Sequence, residues 1–309
     1  MATKKHRLWR GKVLPRLALT VAPLPKNTFC SIDVTSKCNL RCTHCYFFSY
    51  TRDNRPELTV DEWLEKIKKM QSAAKPFFSC TWVGGEPLLK QEVIAKGKEY
   101  FKSNRVVTNG TIPLPDWKDV EFHISVDGTR ESHDQIRGGG CYDRIKKNIL
   151  SAKELNLQIV LACCLNRHNV DSIDGLLEEW SNHPNIKHIL FNFFTPIKGA
   201  NEKVWLSFDE RDEILSKLES LKERYGDFIG APSKTFDLMK GKNHHRAVGK
   251  NCVFIKYGTA FDAWGKVKRP CVIGPFADCD KCGCIVPFSV KAWKRPSNLL
   301  KEIWREFTK

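Results

Sequence analysis

The sequence predicts an α/β protein: a partial (β/α)6 barrel of the TIM type, followed by a small cysteine-rich C-terminal module. Three observations predict it. Between about residues 28 and 230, short runs rich in Val, Ile and Phe alternate with segments of helical periodicity, the pattern of a parallel sheet covered by helices. No G-x-G-x-x-G follows the first such run, so the dinucleotide-binding version of this pattern lacks its fingerprint. Polar, small and cysteine residues gather just after the apolar runs, where a β/α barrel keeps its working groups. Beyond residue 230 helical periodicity fades, and five of the thirteen cysteines fall between Cys252 and Cys284. The organisation read from this is a basic arm over 1–27, the partial barrel over 28–230 and the cysteine-rich module over 231–309.

Strands are expected at Phe29–Thr35, Ser79–Val83, Arg105–Asn109, Val120–Asp127, Leu157–Leu165 and His188–Phe194. Each is short, rich in β-branched and aromatic residues, and most are closed by Gly, Asn, Asp or Pro. The clearest helix starts at Thr59. Thr59 and Glu62 have capping-box spacing, and Trp63, Ile67 and Met70 then share one helical face. Further helices are read at roughly 89–102, 142–155 and 171–182. Another begins at Ser207, which repeats the box with Glu210. In the C-terminal module, Gly258 and Gly265 suit a β-hairpin between Cys252 and Cys271.

Composition narrows the function. A chain of 309 residues, 41% hydrophobic with 18 Phe, buries a core. No apolar run reaches the ~18–20 residues of a membrane span, so an integral membrane protein is not expected, and 11% aromatic content argues against disorder. The N-terminal arm, with Lys4, Lys5, Arg7 and Arg10 before Leu14, Leu17 and Leu19, loosely resembles a signal peptide. Pro15 and Arg16 break its apolar run. It is read as an arm that touches a membrane surface or packs under the barrel. Cysteine clusters in a cytoplasmic chain point to metal. Residues 1–27 hold seven Lys/Arg and no acid, and 240–309 hold fifteen against five, while the middle is close to neutral. Basic ends attract phosphate, on nucleic acid, lipid or a substrate, or serve only solubility.

The first expected strand runs into Cys38-Asn-Leu-Arg-Cys42-Thr-His-Cys45-Tyr46. Structural zinc wants four ligands, usually as two C-x-x-C pairs; here three cysteines are local. A three-thiolate site leaves one metal position open, as a catalytic iron–sulfur cluster requires. A zinc knuckle completed by His44 or Cys30 is the plainer alternative. After the second strand come Gly84-Gly85-Glu86-Pro87. Glycines admit close backbone approach by a ligand, and a carboxylate accepts charge-assisted hydrogen bonds from an ammonium group.

C-x-x-x-C-x-x-C after the first strand and GGEP after the second resemble the radical S-adenosylmethionine (SAM) superfamily over about residues 28–200. The resemblance implies a 4Fe–4S cluster on Cys38, Cys42 and Cys45, with SAM chelating the fourth iron. One electron then cleaves SAM to a 5′-deoxyadenosyl radical that abstracts hydrogen from a substrate. It implies SAM contacts from Gly84, Gly85, Glu86 and Pro87. At later strand ends it implies contacts from Asn109, Ser125 and Asp127, and near adenosine from Asn166 and Asn192. His44 and Tyr46 flank Cys45, where an aromatic group stacks near adenine. His133-Asp134 and Arg137-Gly138 resemble the loop after the fourth strand in relatives with auxiliary clusters. No side chain is singled out as catalytic.

Cys252, Cys271, Cys279, Cys282 and Cys284 resemble the auxiliary-cluster domains called SPASM and twitch. Their number supports one cluster, the shortened twitch form. The ligands chosen are Cys252, Cys271, Cys279 and Cys282, with Cys284 in reserve; zinc is the alternative. The remaining cysteines Cys30, Cys80, Cys163 and Cys164 read as small buried hydrophobes. The implied function is a radical SAM enzyme acting on a peptide, protein or other large molecule, fed electrons by a donor such as flavodoxin or ferredoxin. The alternatives are a phosphate-bearing small molecule or isoprenoid lipid as substrate, an electron-transfer protein, and a zinc-organised nucleic-acid binder.

Overall fold

The computed structural model describes residues 27–50, 55–199 and 202–293, so the basic arm apart from Asn27, and everything from residue 294, lie outside the described residues. Six parallel strands follow one another across a single sheet: β1 (Phe29–Asp33), β2 (Ser79–Val83), β3 (Ser103–Thr108), β4 (Val120–Ser125), β5 (Gln158–Leu165) and β6 (Ile186–Phe193). Each pairs with its predecessor, as when Cys30 faces Cys80 across β1 and β2. Sequential order with helical crossovers is the wrapping of a β/α barrel left open between β6 and the far edge.

The longer helices between the strands and just after β6 are α1 (Val60–Gln71), α2 (Gln91–Gly97), α3 (Arg130–Arg137), α4 (Cys141–Ser151), α5 (Ile173–Trp180) and α6 (Phe208–Tyr225). Both expected capping boxes are formed. The Glu62 backbone N–H donates to Thr59 Oγ1 at 3.3 Å, and the Thr59 N–H donates to the Glu62 carboxylate at 2.7 Å. Ser207 and Glu210 repeat the arrangement. The box fixes which face α1 turns inward, and Trp63 and Ile67 on that face are fully buried. Each such burial contributes roughly 1.5–3 kcal/mol.

Strand alternation sorts the side chains. Cys30, Ile32, Trp82, Val106, Ile124, Leu161 and Phe191 join one hydrophobic core with the helices. The intervening positions Ser31, Asp33, His123, Ser125, Cys164 and Asn192 fall on the opposite, concave face. Cys30, Cys80 and Cys163 are buried as small hydrophobes, and Cys141 with them; Cys164 is half-buried on the concave side.

The C-terminal module is continuous with the barrel sheet. The hairpin between Cys252 and Cys271 forms, as β7 (Gly258–Phe261) and β8 (Val267–Lys268), but β7 pairs in parallel with β1 and extends the barrel sheet. Helices α7 (Ser233–Met239) and α8 (Ile285–Trp293) place Phe236, Leu238, Met239, Ile285 and Phe288 in the same core as Ile189 and Leu215. The segment between β8 and α8 docks beside the end of β6: the Phe193 N–H donates to Gly283 O at 2.9 Å, and the Asp278 N–H to Pro196 O at 3.1 Å. This segment therefore holds both edges of the open sheet, and a buried Asp33–Lys268 ion pair ties its hairpin to β1.

Candidate metal centres

Strand β1 delivers the chain into the loop that carries Cys38, Cys42 and Cys45, all free and half-buried. The loop is fixed by its backbone. The Gly85 N–H donates to Thr35 O at 2.9 Å and the Glu86 N–H to Lys37 O at 2.8 Å. The Glu57 carboxylate accepts from the Ser36 N–H at 2.7 Å and the Thr35 hydroxyl at 2.8 Å. Gly84 has φ +140°, and a Cβ there would lie 2.4 Å from Thr35 O; at Gly85 it would lie 2.2 Å from Lys37 O. The close approach leaves no room for a Cβ at either glycine. The bare backbone they provide is used by the approach of the cysteine loop itself.

Glu86 is fully buried, and protein donors occupy its carboxylate: the Thr108 hydroxyl at 2.7 Å, the Asn109 N–H at 2.8 Å and the Leu88 N–H at 3.0 Å. Burial pushes this carboxyl up, and those three donors oppose the shift. The carboxylate thus joins the ends of β2 and β3. Pro87 opens the buried turn that Glu86 caps. Asn109 Nδ2 donates to Asn39 Oδ1 at 2.9 Å and reaches Cys38 Sγ at 3.9 Å, a distance within the range of N–H···S bonds; the Leu40 N–H donates to the same sulfur at 3.4 Å.

Asp127, fully buried after β4, holds the second half of the loop. Its Oδ2 accepts from Arg137 Nε at 2.7 Å and lies 3.3 Å from His44 Nε2, and its Oδ1 accepts from the Cys164 N–H at 2.8 Å. Burial would raise this carboxyl, but Arg137 and then His44 outweigh it and hold it well below the usual carboxylate range. His133 Nδ1 accepts the Asp127 N–H at 3.1 Å, and burial together with Arg137 pulls its imidazole down to about 4, so it is neutral. The Thr43 N–H donates to Ile136 O, a further tie between the loop and α3. Burial pushes the Cys42 thiol up to about 11, with Arg137 opposing, and burial raises Cys38 as well. Such thiols ionise when a metal takes the proton's place.

The other residues singled out in the sequence are placed as follows. Ser125 ends β4 half-buried on the concave face. Tyr46 packs with Ile197, Ile273 and Ala277, beside Cys271 and Cys279. Asn166 closes its own turn, accepting from the His168 N–H and donating to Cys164 O. Asn192 Oδ1 accepts the Ile285 N–H at 2.9 Å and so anchors α8. Glu57, the contact with the loop that sequence reading missed, is a lone acid between Pro56 and Leu58 with no spacing to mark it.

The five C-terminal cysteines converge. Cys252, Cys271, Cys279, Cys282 and Cys284 line one cavity with Thr195, Val248, Ile273 and Pro287. Burial raises all five thiols, Cys282 to about 12. The Cys282 backbone is clamped by Arg211 Nη1 at 3.2 Å and His244 Nε2 at 2.6 Å, and the Gly283 N–H donates to the Thr195 hydroxyl at 2.8 Å. Arg211, His244 and Thr195 were also beyond sequence reading, since nothing local marks them. Among the described residues no three His, Cys, Asp or Glu converge on a point for a single ion. A four-iron cluster is bound differently, one thiolate per iron at separate corners, and the donor sets fit it: three half-buried thiols in the first loop, with N–H···S contacts at Cys38, and a thiol-lined apolar cavity in the second.

These features define a barrel that carries a three-thiol loop at the C-terminal end of its first strand. The Radical SAM superfamily model matches residues 32–179, so the chain carries a Radical SAM domain. Such a domain implies a SAM-chelating 4Fe–4S cluster. The sporulation killing factor maturation protein SkfB of Bacillus subtilis is 29% identical over 168 residues, 50% of this chain and 39% of its own length. The Fe-coproporphyrin III synthase of Methanosarcina barkeri is 27% identical over 157 residues, 47% of this chain and 39% of its own. The matches thus span about two fifths of these relatives. Streptococcus suis SuiB, solved with precursor peptide SuiA bound, shares the fold with a TM-score of 0.63 at 13% identity, over 88% of this chain and 65% of that one. No helix among the described residues is long and apolar enough to cross a membrane.

Proposed function

We propose that this protein is a radical SAM enzyme that modifies a peptide or protein. The observation that carries the reading is the Cys38-x-x-x-Cys42-x-x-Cys45 loop, bonded along its backbone to the Gly84–Pro87 turn. A four-iron cluster on those thiols, with SAM on its open iron, supplies one-electron cleavage of the sulfonium and hydrogen abstraction from a substrate carbon. The chain's own residues keep that chemistry in place. Glu57 and the Gly85 and Glu86 N–H groups hold the loop before Cys38, and Asp127 holds His44 between Cys42 and Cys45. Asn109 and the Leu40 N–H direct hydrogens at the Cys38 sulfur. His44 Nδ1, buried and without a partner among the described residues, leaves a polar atom for a ligand. Gly84, Gly85, Ser125 and Tyr46 border the SAM site in this reading.

The second set, Cys252, Cys271, Cys279 and Cys282 with Cys284 as a fifth donor, holds an auxiliary 4Fe–4S cluster in a twitch-like segment. A peptide substrate is supported by SkfB, named a maturation protein, and by SuiB with its bound precursor peptide. The thirteen free cysteines suit a reducing cytoplasm with a flavodoxin or ferredoxin as electron donor. A tetrapyrrole is the second reading, favoured by the similarity to an Fe-coproporphyrin III synthase.

Anaerobically reconstituted protein given SAM and dithionite is expected to form 5′-deoxyadenosine and to hold about eight irons, from two four-iron clusters. Cys38→Ala, Cys42→Ala and Cys45→Ala should each abolish 5′-deoxyadenosine and remove about four irons. Undiminished product from any of the three overturns the reading. Mass spectrometry of candidate precursor peptides against iron coproporphyrin then separates the two substrate classes.

A further inference from the structure

Arg211, on α6, is among the largest fully buried side chains of the protein, 1% exposed. Its Nη2 donates to Phe194 O at 2.9 Å and Lys281 O at 3.1 Å, and its Nη1 to Cys282 O at 3.2 Å. The guanidinium lies 5.1–5.5 Å from the ring centres of Phe193, Trp205 and Phe208. Among the described residues no carboxylate pairs with it, and its Nε is buried without a partner. Other buried cations are treated otherwise: Arg137 has Asp127 and Lys268 has Asp33.

An unpaired buried charge is destabilising by several kcal/mol. A guanidinium stays charged at neutral pH, and two of its three hydrogen bonds end on the carbonyls of Lys281 and Cys282, in the Cys279-x-x-Cys282 pair. Three carbonyl dipoles satisfy its hydrogens but leave its net charge without a counter-ion. A cluster held by four thiolates is an anion, and it becomes one unit more negative on reduction. A fixed cation in a low-dielectric setting stabilises that reduced form most.

We infer that Arg211 is the counter-charge of an anionic cluster at the second cysteine set, and that it holds that cluster's reduction potential above the value a neutral side chain would give. The inference rests on the auxiliary-cluster reading above. Arg211 is then a positioning and tuning residue, touching neither SAM nor substrate.

The test pairs Arg211→Gln, which removes the charge and keeps a donor, with Arg211→Lys, which keeps the charge and loses the fork. Iron content and potentiometric electron paramagnetic resonance are read on both. Arg211→Gln should make the auxiliary cluster at least tenfold harder to reduce, 59 mV for a one-electron couple, with the barrel cluster unmoved. Arg211→Lys should stay near wild type. If Arg211→Gln instead loses about four irons while Arg211→Lys keeps them, the charge is supported by occupancy. Equal behaviour of the two variants, or an unshifted potential in Arg211→Gln at full iron, shows a carbonyl clamp only and overturns the inference. About four irons in the wild-type protein would overturn the auxiliary-cluster reading first, and this inference with it.

Discussion

Glu86 shows how much of a motif residue's work is structural once its surroundings are known. In the sequence it is the acid of GGEP, and a carboxylate beside two glycines invites a ligand's ammonium group. In the fold it accepts from Thr108, Asn109 and Leu88 and has no exposed surface. Glu86→Ala strands three buried donors, each worth about 1–3 kcal/mol when left unsatisfied. The expected outcome is a loss of about 3 kcal/mol in denaturant unfolding measured without SAM, together with weaker SAM binding. If stability is unchanged and only SAM affinity falls, Glu86 acts on the ligand and not on the fold. Asp127 follows the same logic. It stands at a strand end, and its oxygens accept from Arg137 and the Cys164 N–H and lie against His44.

At the scale of elements, the junction of β1 and β2 is the critical one. The cysteine loop leaves β1 and is received by the turn after β2, and Gly84 and Gly85 set how closely the two approach. Gly84→Ala places a methyl group against Thr35 O in a backbone region that side chains avoid, at a cost of about 1–3 kcal/mol. Iron analysis should show the barrel cluster depleted and the auxiliary cluster retained. Gly97→Ala is the control. Its Cβ would meet the Trp82 ring at 2.8 Å, in the core between α2 and β2. It should lower the melting temperature and leave iron content alone. Equal iron loss in both variants would mean that global stability, and not the loop contact, governs occupancy. The strands and the α1 and α6 caps were legible in the sequence because alternation and capping boxes act within a few residues of themselves. The parallel pairing of β7 with β1 was not, since its partners lie more than two hundred positions apart.

For the whole molecule, the consequence of that pairing is that the cysteine-rich segment completes the barrel. Phe261, Ile285 and Phe288 share the core with the barrel strands, and the same segment bonds to the end of β6. A chain ended after residue 230 should therefore lack a cooperative melting transition. Circular dichroism on the truncated protein checks this. A soluble, cooperatively folding truncation that still holds about four irons would show that the barrel folds without the module.

The sequence by itself determined the class of chemistry. Cys38, Cys42 and Cys45 lie within eight positions, and GGEP within four. The ligand sets of such cofactors are local, so their spacing survives without a fold. It determined the barrel as well, because each β/α unit declares itself over a short stretch. Tertiary structure alone decided what supports that chemistry. Glu57 on Ser36, Asn192 on Ile285, Asp127 on His44 and Arg211 on Cys282 are single polar residues whose partners stand 21, 93, about 83 and 71 positions away. Contacts of that separation follow from packing, which no periodicity encodes.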